Sequence, residues 1–114
     1  MMEDIKAFFE KFKHDSGKMG KAMPDAIQGF SGMFSKIMKD GELPLQQKEL
    51  IALGIAVGIQ CEPCIKLHVQ KCLAAGATKQ QILEAASVAV MMGGGPAFTH
   101  IPIVIDTLEA LGNK

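Results

Sequence analysis

The sequence predicts an all-α protein of about six helices, and three observations carry that prediction. β-Branched residues seldom alternate with polar ones, so strand signals are scarce. Good helix formers (Ala, Met, Leu, Lys and Gln) fill the segments between glycines. Within those segments the apolar residues recur at helical spacing.

A first helix is expected from Met2 to about Gly17, with Ile5, Phe8, Phe9 and Phe12 along one face and lysines elsewhere. Gly17 and Gly20 punctuate its end. Pro24 suits the first turn of a second helix, whose Ile27, Phe30, Phe34, Ile37 and Met38 keep helical spacing as far as Asp40-Gly41. Gly29 and Gly32 in it would let a neighbour approach closely. The third helix starts near Pro44 and runs through Leu45, Leu50, Ile51, Leu53, Ile55 and Val57. After Glu49 it is apolar on nearly all faces, the pattern of a central, buried helix. Gly58-Ile59-Gln60 is the expected bend into a fourth helix that starts at about Cys61, holds Pro63 in its first turn and ends at Gly76. Thr78 with Gln81 forms a capping-box pattern opening a fifth helix through Ile82, Leu83, Ala86, Val90 and Met91, closed by Gly93-Gly94-Gly95-Pro96. A last helix from about Pro96 to Leu111 carries Phe98, Ile101, Val104, Ile105 and Leu108, and Pro102 should shift or kink its start.

A chain of 114 residues without repeats or low-complexity linkers reads as one domain over 1–114. It is 48% hydrophobic with a mean hydropathy of +0.20, more apolar surface than a small monomer hides, so a homo-oligomer is expected. Basic and acidic residues cancel at 12 each and there is no Trp or Tyr, which argues against nucleic acid as a partner. Glu3, Asp4, Lys6, Glu10, Lys11 and Lys13 interrupt the opening apolar residues, so no secretory signal is read there. Lys48 and Glu49, and then Gly93 to Gly95, break the remaining apolar stretches, so no membrane span is expected. Three cysteines are too few for a disulfide-stapled mini-protein, which favours a reducing compartment and a cytoplasmic location.

The chemistry concentrates between Cys61 and Cys72. At about 100° per residue Cys61 and Cys64 lie about 60° apart round a helix, and His68 follows Cys64 by one turn. A helix start favours a thiolate through its free N–H groups and dipole, and the imidazole can accept the thiol proton. Pro63 stiffens the first turn, and a Cys61–Cys64 disulfide is geometrically feasible. Cys72 lies about 16 Å along the axis from Cys61, too far to pair within one helix, and reads as buried apolar filler. Cys61, Cys64, His68 and Cys72 spread over three turns cannot converge on a tetrahedral zinc, so neither metal nor cofactor is expected. Glu49 is either a surface carboxylate beside Lys48 or a buried one. Buried next to a histidine, it could take or return the proton that a thiol loses. His14 and His100 read as surface or helix-end residues.

Glu49, eleven residues, Cys61-Glu62-Pro63-Cys64, three residues and His68 together resemble the active-site motif of alkylhydroperoxidase D-like proteins of the carboxymuconolactone decarboxylase family. The resemblance runs from about Leu43 to Leu111 and takes in Ala74 to Thr78 and Gly93 to Gly95. It implies an alkylhydroperoxidase D-like helical fold, an obligate oligomer (trimer or hexamer), and thiol-dependent peroxidase or disulfide reductase activity of the peroxiredoxin type. In such an antioxidant enzyme the residue matching Cys64 attacks a hydroperoxide and becomes a sulfenic acid, and Cys61 condenses with it to a disulfide. His68 and Glu49 match the proton relay. An external dithiol, on a lipoyl-bearing or thioredoxin-like protein, then reduces the disulfide. The helix dipole favours Cys61 as the more acidic thiol and the histidine favours Cys64; the family pattern selects Cys64 as attacking group. The best-known peroxidase has a histidine directly before the second cysteine, where this chain has Pro63. Two alternatives are the lactone decarboxylase (lyase) chemistry that names the wider family, whose true decarboxylases generally lack the cysteine pair, and a non-catalytic redox-sensing oligomer.

Overall fold

The computed structural model describes residues 2–112, and every regular element among them is helical. The order is α1 (Met2–Ala22), α2 (Pro24–Ile37), α3 (Leu45–Gly58), α4 (Glu62–Ala74), α5 (Lys79–Gly93), α6 (Gly95–Phe98) and α7 (Ile101–Gly112). None of these helices is long and apolar enough to cross a membrane.

Helix α3 is the centre of the bundle, packed between α4 and α5, while α7 closes the far side of α4 and α1 lies along α7. The fully buried side chains come from these helices: Leu53 and Val57 of α3, Ile65 and Val69 of α4, Ile82 of α5, and Val104 and Leu108 of α7. Each aliphatic side chain so buried contributes about 1.5–3 kcal/mol relative to exposure. That burial, more than helix propensity, fixes how α3 and α4 sit against each other, and it sets the site.

Four boundaries differ from the sequence pattern, each for a local reason. Helix α1 continues through Gly17 and Gly20 to Ala22, because a glycine in an exposed helix costs only about 1 kcal/mol. Pro24 is what stops it, since the residue before a proline is driven out of helical geometry, as Met23 is at φ −138°, ψ 63°. Helix α2 stops at Ile37, whose carbonyl accepts Lys48 Nζ at 2.8 Å, and Asp40 Oδ1 then accepts the N–H of Leu45 at 2.7 Å to open α3. Gly58 stays helical, and the left-handed residue is Gln60 (φ 59°). The last predicted helix is two, α6 and α7, because Pro102 has no N–H for the carbonyl of Phe98 and its ring would clash there.

The capping box stands as the pattern implies: Thr78 N–H donates to Gln81 Oε1 at 2.8 Å and Gln81 N–H to Thr78 Oγ1 at 3.1 Å. Gly76, at φ 90°, takes the left-handed position that ends α4. Helix α3 is not buried all round. Glu49, Leu53, Ala56 and Val57 face inward, while Ile51 and Ile55 are 51% and 58% exposed. Gly29 and Gly32 of α2 face open space rather than a close neighbour.

Candidate active site

The turn from α3 into α4 places the cysteines. Cys61 N–H donates to the Ala56 carbonyl at 3.0 Å and Gln60 N–H to that of Val57 at 3.1 Å, so the chain reverses within three residues of α3. The left-handed conformation of Gln60 costs on the order of 1 kcal/mol, held by these bonds immediately before Cys61. Nothing in the sequence signals it, since glutamine has no preference for that region.

Cys61 caps α4 with an extended backbone (φ −98°, ψ 98°), and its Sγ accepts the N–H of Cys64 at 3.3 Å. Pro63 occupies the first turn, where its missing N–H would have no helical partner. Cys61 and Cys64 are joined by a disulfide with their Cα atoms 5.2 Å apart, and both are half-buried. A sulfur at a helix start meets unsatisfied N–H groups and the positive end of the dipole, so negative charge on Cys61 Sγ is favoured there when the bond opens.

His68 stands one turn beyond Cys64 on α4, and its Nδ1 lies 2.8 Å from Oε1 of Glu49 on α3. Glu49 is buried, and its partner is His68 rather than a lysine; Lys48 points instead to the end of α2. An ionised carboxylate only accepts, so Nδ1 carries the hydrogen and Nε2 keeps a lone pair for a proton. The inward face of α3 makes this pair, because Glu49 shares it with Leu53 and Ala56, whose packing brings α3 against α4.

Cys72 is wholly buried, and burial first, then the negative charge of Glu49, pushes its thiol up to about 12. It stays protonated and belongs to the core cluster with Val69 and Leu108. His14 is exposed, and His100 Nδ1 donates to the Pro96 carbonyl at 2.8 Å across α6; neither approaches the cysteines in sequence or by hydrogen bond. Two cations that tie the first helices to α4 carry no sequence signal. Lys66 lies 4.7 Å from the Phe8 ring centre and Lys71 5.0 Å from that of Phe34. Lys66 also pairs with Glu62 at 3.1 Å.

The fold and site together define an all-helical bundle with a disulfide-closed Cys-x-x-Cys pair at a helix start and a histidine–glutamate pair one turn further on. The sequence profile of the carboxymuconolactone decarboxylase family matches residues 24–104, and the chain belongs to that family, which includes decarboxylases and alkylhydroperoxidase-like members. It is 32% identical to an uncharacterized protein of Cupriavidus necator over 97% of this chain and 98% of the other. An uncharacterized protein encoded in the cox locus of Paracoccus denitrificans is 33% identical over 85% of each. Among solved structures, a carboxymuconolactone decarboxylase family protein of Legionella pneumophila superposes with a TM-score of 0.85 at 34% identity, covering 97% of this chain and 96% of that one. A family member from Thermotoga maritima, for which a part in the antioxidative response has been suggested, gives 0.83 at 26% identity over 94% and 91%.

Proposed function

We propose that the chain is a thiol-dependent peroxidase of the alkylhydroperoxidase-like kind, cycling between the Cys61–Cys64 disulfide and two thiols. The observation that carries this reading is the disulfide at the start of α4, followed one turn on by a histidine that a buried Glu49 holds at 2.8 Å.

His68 takes the proton of Cys64, whose thiolate attacks the outer oxygen of a hydroperoxide; the O–O bond breaks, His68 returns that proton to the leaving alkoxide, which departs as the alcohol, and Cys64 becomes a sulfenic acid. Cys61 then gives its proton to His68, attacks that sulfur as a thiolate favoured by the N–H of Cys64, and the displaced hydroxide leaves as water with the proton His68 returns. Glu49 keeps the imidazole oriented and offsets its positive charge while it holds the proton. An external dithiol, lipoyl-bearing or thioredoxin-like, then attacks Cys64, expels Cys61 as the stabilised leaving thiolate, and ends as a cyclic disulfide. We further expect the chain to act as a homo-oligomer, a trimer or hexamer, in the cytoplasm.

The test is steady turnover of an organic hydroperoxide with dihydrolipoamide, thioredoxin and glutathione systems compared. Cys64→Ser and Cys61→Ser should each abolish dithiol-driven turnover and Cys72→Ser should not. Normal turnover in either of the first two variants would sink the assignment. Peroxide-driven loss of two thiols per chain without sustained turnover by any reductant would leave a redox sensor instead.

A further inference from the structure

The bundle leaves two apolar surfaces of opposite shape. One is a groove of about 620 Å³ between α3 and α5, with no charged side chain in its lining. Ile51, Ile55, Val88 and Met92 border it and are 51%, 58%, 56% and 78% exposed. The other is the ridge of α2, which has no buried residue at all. At about 100° per residue its apolar side chains cover roughly 140° of arc. Ile27, Phe34 and Met38 turn toward the chain's own α1 and α4 and are half-buried, with Lys71 over the Phe34 ring. Phe30, Met33 and Ile37 lie roughly 90° further round, and they are 59%, 52% and 53% exposed.

A groove does not fill a copy of itself, because two concave faces brought together enclose a void and forfeit their dispersion contacts. It needs a ridge. Within one chain α2 packs chiefly along α1 while the groove belongs to α3 and α5, so each surface lacks the partner the other could supply. Phe30 to Ile37 spans about 10 Å of helix axis and Ile51 to Ile59 about 12 Å, so ridge and groove match in length. Lys36 flanks the free ridge, and Glu84 precedes Val88 by one turn at the groove's rim, so the polar margins carry opposite charge.

We infer that the occupant of the groove is helix α2 of a second copy of this chain. The inference rests on the self-association proposed above and goes beyond it by naming the two surfaces that meet. Each ridge-to-groove contact covers the exposed Phe30, Met33 and Ile37 of one chain and Ile51, Ile55, Val88 and Met92 of the next. The groove ends at Gly58 and Ile59, so the neighbour's α2 lies against the segment that leads through Gln60 into Cys61. Assembly then covers one flank of the cysteine site.

Light scattering on the size-excluded protein tests this, with far-UV circular dichroism as the check on folding. The wild type should run as a multiple of 12.2 kDa, and Ile55→Glu and Phe30→Glu, both at exposed positions, should each fall to 12.2 kDa with helicity unchanged. Mixed in equal amounts, the two monomeric variants should rise toward twice that mass, because the intact ridge of one fits the intact groove of the other. Ile51→Glu and Met33→Glu serve if either first variant loses helicity. A monomeric wild type defeats the self-association and this inference together. An oligomeric wild type whose variants do not dissociate defeats this inference alone, as do dissociated variants that stay monomeric when mixed.

Discussion

Cys72 offers a quantitative test of the core behind the site. Burial and then the charge of Glu49 raise its thiol from 9.0 to about 12, while in the unfolded chain it ionises near the lower value. A raised folded-state value means that the stability tied to this proton is whole below about pH 9 and is lost as pH rises toward 12. The loss is about 1.4 kcal/mol per pH unit. It therefore reaches about 2 kcal/mol near pH 10.5 and about 4 kcal/mol by pH 12, a large part of the stability of a small domain. Urea titrations of the oxidised protein, followed by circular dichroism at fixed concentration across the alkaline range, read this directly. Cys72→Ala removes the titrating group, so its stability should fall less steeply above about pH 9, by that same 1.4 kcal/mol per unit. Glu49→Gln removes the second cause of the shift and should shorten the range over which the wild type loses stability. Parallel curves for wild type and Cys72→Ala would refute the reasoning. So would labelling of Cys72 in the native protein as fast as in denaturant.

Three further outcomes follow from the same geometry. Brief reaction of the oxidised protein with excess monothiol, quenched in acid and sequenced by mass spectrometry, should place the adduct on Cys64, because Cys61 leaves as the thiolate supported by the Cys64 N–H; an adduct chiefly on Cys61 would reverse the order of reduction. Thr78→Ala breaks one arm of the capping box and should cost about 1 kcal/mol in chemical denaturation with an unchanged m-value. Gln60→Gly relieves a left-handed non-glycine residue and should leave stability equal or raise it by up to about 1 kcal/mol, whereas a clear loss would mean that the Gln60 side chain contributes more than its backbone strain costs.

Local signals were legible in this chain wherever they were self-contained. The Thr78–Gln81 box, the Pro24 and Pro63 first turns and the Gly76 stop each depend on a few adjacent residues, and each stands where the pattern puts it. Signals that needed a count of exposure misled. Helix α3 reads as apolar all round, yet half of that surface lines a groove, because periodicity shows which residues are apolar and not how many neighbours a single chain can supply. Gln60 carried no signal because its conformation is imposed by the bonds that Cys61 N–H and its own N–H donate to the Ala56 and Val57 carbonyls.

The helical class, the order of the helices and a cysteine pair with a histidine one turn on are all readable from the residues alone, since each follows from spacing along one chain. Spacing leaves Glu49 undecided between a lysine at the surface and a histidine in the interior. The packed core resolves it, by setting Leu53 and Val57 against the cysteine helix so that the carboxylate on the same face meets His68 at 2.8 Å. A helix fixes its own periodicity, but which of its faces meets which neighbour is settled by burial summed over the whole core.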